Sequence, residues 1–106
     1  MSKIVGVMAS ERIVAGLVEG NRVTGEIRVF PEPGSASEGL YGVPADEIAE
    51  LIRREIESLT SGAAVDAVGI GFAGIIREGR IEESPNLQQV KGFNLQGALE
   101  SSFPRV

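Results

Sequence analysis

The apolar positions along the chain change period several times, and each change marks an element. Residues 3–9 carry Ile4, Val5, Val7 and Met8 with no polar face, the pattern of a buried strand. Residues 12–19 repeat it with Ile13, Val14, Leu17 and Val18. Gly20-Asn21 between them and the next run suits a two-residue hairpin turn, since both residues tolerate positive φ. Residues 22–30 alternate: Val23, Ile27 and Val29 point one way, Thr24, Glu26 and Arg28 the other. This predicts a half-solvated strand at a sheet edge. The first thirty residues thus form an antiparallel meander.

Residues 31–44 are rich in Pro, Gly and Ser and predict a loop. Over 45–60 the period becomes helical, with Ile48, Leu51, Ile52, Ile56 and Leu59 on one stripe. Pro44 suits the first turn, Asp46 and Glu47 favour the positive end of the dipole, and Glu50 can pair with Arg54 one turn on. Gly62 is the stop signal. Val65–Phe72 reads as a second buried strand. Strand, crossover helix, strand is the route to a parallel pair. Residues 75–83 predict a small hairpin turning near Gly79. A second helix follows Asn94, a good N-cap, with Leu95, Ala98, Leu99 and Phe103 on one face. Another strand could begin at Pro104-Arg105-Val106.

The order βββαβ(ββ)α predicts an α/β fold, the ribonuclease-H-like lobe of the actin, Hsp70 and hexokinase superfamily. The 106 residues are one domain, small for a complete two-lobed enzyme. A net charge of −5 with scattered basic residues argues against nucleic-acid binding. No stretch predicts a membrane span, and the start has no signal-peptide layout, which fits a cytoplasmic protein. With neither Cys nor His, the chain has no disulfide, no Cys/His zinc site and no His general base.

Four stretches resemble the ROK family of sugar kinases and sugar-sensing repressors. Gly6-Val7 and then Val14-Ala15-Gly16-Leu17-Val18-Glu19 resemble its first hairpin, G-I-D-x-G-G-T-K-x-x-x-G-L-V-D. Val65 to Gly74 resembles V-x-x-I-G-I-G-x-P-G. Ser84-Pro85-Asn86-Leu87 matches S-P-N-L. Lys91-Gly92-Phe93-Asn94-Leu95, then Leu99-Glu100, resembles the W/K-G-x-x-L-x-x-x-L-E that follows. The resemblance implies ATP and magnesium as cofactors and a hexose or N-acetylhexosamine as substrate. It also implies a transferase of carbohydrate metabolism, or a transcriptional regulator with a helix-turn-helix in front. A first strand at residue 3 favours the kinase-like branch.

The departures from the family pattern are informative. Met8 stands where the family has an Asp that helps hold magnesium, and a thioether does not coordinate a hard cation. The turn Ser10-Glu11-Arg12 is about one residue short and lacks the paired glycines that admit phosphates. Ser10 and Arg12 are the candidate nucleotide contacts, Arg12 replacing the family's Lys; the plainer reading is an ordinary solvated hairpin turn. Gly74, Pro85 and Asn86 are the candidate substrate-binding residues, because the resemblance puts the Gly of P-G and the Asn of S-P-N against sugar hydroxyls. The plainer reading is a tight turn at Gly74 and a turn-capping Asn86. Gly69 and Gly71 are expected to permit close helix packing. Ala73 replaces the family's Pro.

The family's catalytic Asp belongs to a strand after Val106. Residues 1–106 are therefore expected to be an N-terminal lobe, not catalytic alone, lacking the next strand and the second lobe. It would supply one wall of a sugar-binding cleft. The alternatives are a pseudokinase-like regulatory lobe and a generic interaction domain. A homodimer through surfaces exposed in the isolated lobe is also expected.

Overall fold

The structure is a computed structural model and describes residues 3–20, 22–31, 39–85, 87–103 and 105–106. Four strands form one sheet in the order β3-β2-β1-β4: β1 Ile4–Ala9, β2 Ile13–Glu19, β3 Arg22–Phe30 and β4 Ala67–Phe72. β1 pairs antiparallel with β2 and parallel with β4, and β2 pairs antiparallel with β3. The crossover into β4 is helix α1, Ala45–Thr60, with the bounds that the apolar period predicts. This is the α/β lobe anticipated above.

Helix α1 forms for three local reasons. Its stripe of Ile48, Ala49, Ile52 and Ile56 is buried against the sheet. Asp46 and Glu47 lie in the first turn, where the dipole favours them. On the outer side Arg53 bonds Glu50 and Glu57, and Arg54 reaches Glu50 at 3.3 Å. The helix ends where Ser61 turns left-handed and the Gly62 N–H donates to the Glu57 carbonyl at 3.1 Å. Each isoleucine side chain taken fully from water stabilises the fold by about 1.5–3 kcal/mol.

The sheet's inner face shares one core with α1 and comprises Val5, Val7 and Ala9 of β1, Ile13 and Ala15 of β2, and Val68 and Phe72 of β4. β3 is the edge strand, as its alternation predicts. Thr24, Arg28 and Phe30 lie on the helix side because they pair with Leu17, Ala15 and Ile13 of β2, and the two-residue register shift at Gly16/Leu17 leaves that alternation unchanged. Val23, Ile27 and Val29 are left on the outer face, where Val23 and Ile27 are exposed. Gly69 and Gly71 also lie on that outer face. The expectation that they admit a closely packed helix is not met: nothing lies within 4 Å of a Cβ built on Gly69, and one on Gly71 would meet the Met8 sulfur at 2.6 Å.

Beyond β4 the chain forms a hairpin, β5 Ile75–Arg77 and β6 Arg80–Glu83. Its turn has Glu78 and Gly79 both at positive φ, as a tight two-residue turn requires. A short 3-10 turn, Gln88–Val90, and helix α2, Leu95–Glu100, complete the layer. Asn94 caps α2, its Oδ1 accepting from the Gly97 N–H at 3.0 Å. Leu95, Leu99 and Phe103 are buried, whereas Ala98 faces solvent. The Val68 N–H donates to the Arg105 carbonyl at 3.0 Å, so the chain starts to run beside β4 at the place expected for another strand. No helix among the described residues is long and apolar enough to cross a membrane. Asn21, residues 32–38, Asn86 and Pro104 lie outside the described residues.

Candidate functional site

β1 and β4 run parallel, so both C-terminal ends open at the same rim of the sheet. In open α/β sheets that rim is where loops can converge on a ligand. Four of the sequence-derived candidates, Ser10, Arg12, Gly74 and Pro85, lie on the segments leaving it. Asn86, the fifth, is outside the described residues and follows Pro85 directly.

Backbone hydrogen bonds lace these segments together. The Ala73 N–H donates to the Ala9 carbonyl at 3.0 Å, joining the exit of β4 to the exit of β1. The Ser84 hydroxyl, buried, donates to the Ala73 carbonyl at 2.9 Å. It anchors the start of the Ser84–Leu87 segment on the same residue. Gly74 sits between them at φ +145, and a Cβ there would stand 1.9 Å from the Glu83 carbonyl oxygen. Glycine is therefore required for a physical reason: the β6 backbone occupies the place of a side chain. The result is an exposed edge at Gly74 and Pro85, with a rigid backbone behind it.

The turn between β1 and β2 is engaged differently. The Ser10 N–H donates to the Arg12 carbonyl at 3.1 Å, closing a three-residue loop. The Glu11 carbonyl accepts from the Leu40 N–H at 2.9 Å, and the Glu11 carboxylate accepts from the Tyr41 hydroxyl at 2.7 Å. That bond favours the protonated phenol and raises the Tyr41 pKa. An Arg12 guanidinium nitrogen donates to the Pro31 carbonyl. Gly39 sits at φ +78, and a Cβ there would stand 2.5 Å from the Glu11 carbonyl oxygen, so the position suits glycine on both counts. Gln89 completes the latch, its Nε2 donating to the Leu40 and Val43 carbonyls at 3.0 Å each. The turn thus docks residues 39–43, and the Ser10 N–H, which a phosphate would need, is taken.

This donor set does not fit a triphosphate. A carboxylate and a used carbonyl stand where glycine N–H groups would serve, and Met8 packs its sulfur over Gly71. Sequence reasoning missed Glu11, Tyr41 and Gln89 as partners, since no short-range pattern pairs residues 30 or 49 positions apart. A separate cavity of about 200 Å³ lies along the open edge of β4, lined by Ile70, Phe72, Ile76, Leu95 and Val106. It contains none of the candidate site residues. Its apolar lining beside the Val68–Arg105 bond suits a further strand.

No family model and no curated protein matches the chain. Solved structures do. A ROK family glucokinase from Streptomyces griseus, in complex with glucose and AMPPNP, aligns over 99% of this chain at 24% identity with a TM-score of 0.74. The ROK hexokinase from Thermus thermophilus aligns over 97% at 27% identity with a TM-score of 0.76. An inorganic polyphosphate/ATP-glucomannokinase from Arthrobacter sp. strain KM aligns over 95% at 18% identity with a TM-score of 0.64. This chain spans only 32%, 33% and 40% of those three proteins. The resemblance read from the four sequence stretches is met by these structures: the chain has the fold of a sugar-kinase lobe of the ROK type, about a third of the length of the kinases it matches.

Proposed function

We propose that the chain is the N-terminal lobe of a ROK-type sugar-kinase-like protein and forms one wall of a hexose-binding cleft. The observation that carries this reading is the junction of Ala9, Ala73 and Ser84, which presents Gly74 and Pro85 at the open rim of the parallel strands. The β6 backbone fills the place of a Gly74 side chain, and the exposed main chain of Gly74 and Pro85 is what a ligand would meet. The amide of Asn86 can donate and accept at vicinal hydroxyls. The glucokinase neighbour's complex with glucose supports a hexose as the ligand class. Catalysis would need a general base and a nucleotide site supplied from outside residues 1–106.

The turn at residues 10–12 favours a second reading, a lobe that binds sugar without phosphorylating it. Its backbone is committed to residues 39–41, so Ser10 and Arg12 serve as ties for that loop in this reading and not as phosphate contacts. Isothermal titration of glucose, mannose and N-acetylglucosamine into the full-length gene product, with and without Mg-ATP, separates the two. Binding with turnover supports a kinase. Binding without turnover supports the sensor-like lobe, and saturable binding of no sugar overturns the cleft itself.

A further inference from the structure

The segment that leaves β6 for the rim is held from two sides by adjacent glutamines. Gln88 turns back, its Nε2 donating to the Ser84 carbonyl at 3.3 Å and the Pro85 carbonyl at 3.2 Å. These are the last two carbonyls before Asn86. Gln89 reaches the other way, to the Leu40 and Val43 carbonyls at 3.0 Å each. Those two residues close a turn of their own, the Val43 N–H donating to the Leu40 carbonyl at 3.1 Å. The same strap, residues 39–43, is fastened to Glu11 by the Leu40 N–H and the Tyr41 hydroxyl. Leu40, Leu87 and Val90 are buried in one core, so strap and rim are seated together.

We propose that Gln88 and Gln89 are positioning residues of the sugar-facing segment. Gln88 fixes the peptides that lead into Asn86, and Gln89 clasps the segment to the strap. The sugar-facing role rests on the reading given above; the clasp does not. Chemistry selects the residue type. Every acceptor that the two side chains meet is a carbonyl oxygen, so only a donor serves at either position. A carboxylate of the same shape has nothing to donate and would repel both oxygens. Through Glu11 the clasp joins the turn leaving β1 to the segment leaving β6, two of the loops that meet at the rim. The placement of the rim segment thus depends on residues that are distant in sequence, 46 and 49 positions away.

The test is amide hydrogen exchange of the 106-residue chain. The Leu40 N–H donates to the Glu11 carbonyl and reports the strap. The Leu87 N–H donates to the Ser84 carbonyl at 3.2 Å and reports the rim. Amides of β1, a strand paired on both sides, report global opening. Gln89→Glu should speed exchange at Leu40 and Leu87 together by about three- to tenfold, with β1 unchanged. Tyr41→Phe, at the Glu11 end of the strap, should speed Leu87 as well, and Gln88→Ala should speed Leu87 alone. In a glucose titration Gln89→Glu should weaken binding by a similar factor, and Gln89→Lys, which keeps a donor for both carbonyls, should restore it. Faster exchange at Leu40 with Leu87 unchanged, in both Gln89→Glu and Tyr41→Phe, overturns the clasp. Coupled exchange with unaltered glucose affinity overturns the positioning role. A wild-type chain that binds no sugar refutes the cleft reading instead, and the exchange rates still decide the clasp.

Discussion

The two faces of the four-stranded sheet are built from nearly the same residue types and meet different fates. On the inner face Val5, Val7, Ile13 and Phe72 are buried in one core with Ile48, Ile52 and Ile56 of α1. On the outer face Ile4, Met8, Val14, Val23 and Ile27 are exposed, around a row of glycines. Hydrophobicity alone does not tell them apart. What separates them is the availability of a helix: α1 supplies one apolar stripe, and it can cover one side only. Two of the sheet's three strand pairs are antiparallel, and such a sheet can leave one face to solvent.

The sharpest way to break this comparison is a charge on each face. Ile52→Asp buries an unpaired carboxylate under α1 and should abolish folding, read as loss of the thermal transition by circular dichroism. Val23→Asp on the outer face should leave the melting temperature within a few degrees of wild type. Equal damage from both would show that the outer face is covered within the chain itself.

Next comes the rim. Gly74→Ala forces a methyl into the space of the Glu83 carbonyl and should cost about 2 kcal/mol or more in a urea titration. Ser84→Ala removes the bond to the Ala73 carbonyl and should cost about 1–2 kcal/mol, with the loss visible as altered amide shifts at Gly74. Asn94→Ala should cost about 1 kcal/mol by removing the cap of α2.

The smallest expected effect is electrostatic. Hydrogen bonds and charge from Arg53, with a contribution from Arg54, lower the Glu50 pKa to about 2. A depressed carboxylate stabilises above its unfolded value near 4.5 and loses that contribution as pH falls toward 2. Stability should therefore decline over that window, and Arg53→Met should flatten the decline. Because the pair is solvent-exposed, the effect should be minor and fade with added salt.

Much of this architecture was legible in the residues. The helical period over 45–60, Gly62 beyond it and Asn94 before α2 each encode a local rule, and each holds. The role of Val23, Ile27 and Val29 was not legible. Alternation reveals that two faces differ but not which one meets the helix, and here pairing with β2 decides it, Arg28 and Phe30 standing beside Ala15 and Ile13 of the buried face. Gly69 and Gly71 mislead for the same reason: a glycine permits close packing without saying that a partner exists. At the rim, S-P-N-L pointed to the segment at Ser84, but the Ser84–Ala73 bond needs a fold to bring residues 11 positions apart into contact. The latch of Glu11, Tyr41 and Gln89 left no sequence signal, since it joins three segments through lone side-chain bonds.

The central claim is that Gly74 and the segment from Ser84 form the sugar-facing wall. Amide chemical-shift mapping of the ¹⁵N-labelled chain during a glucose titration tests it most directly. The account predicts saturable shifts centred on Gly74, Ser84, Asn86 and Leu87, abolished by Asn86→Ala. Saturable shifts confined to the outer sheet face, or none at any concentration, would contradict it.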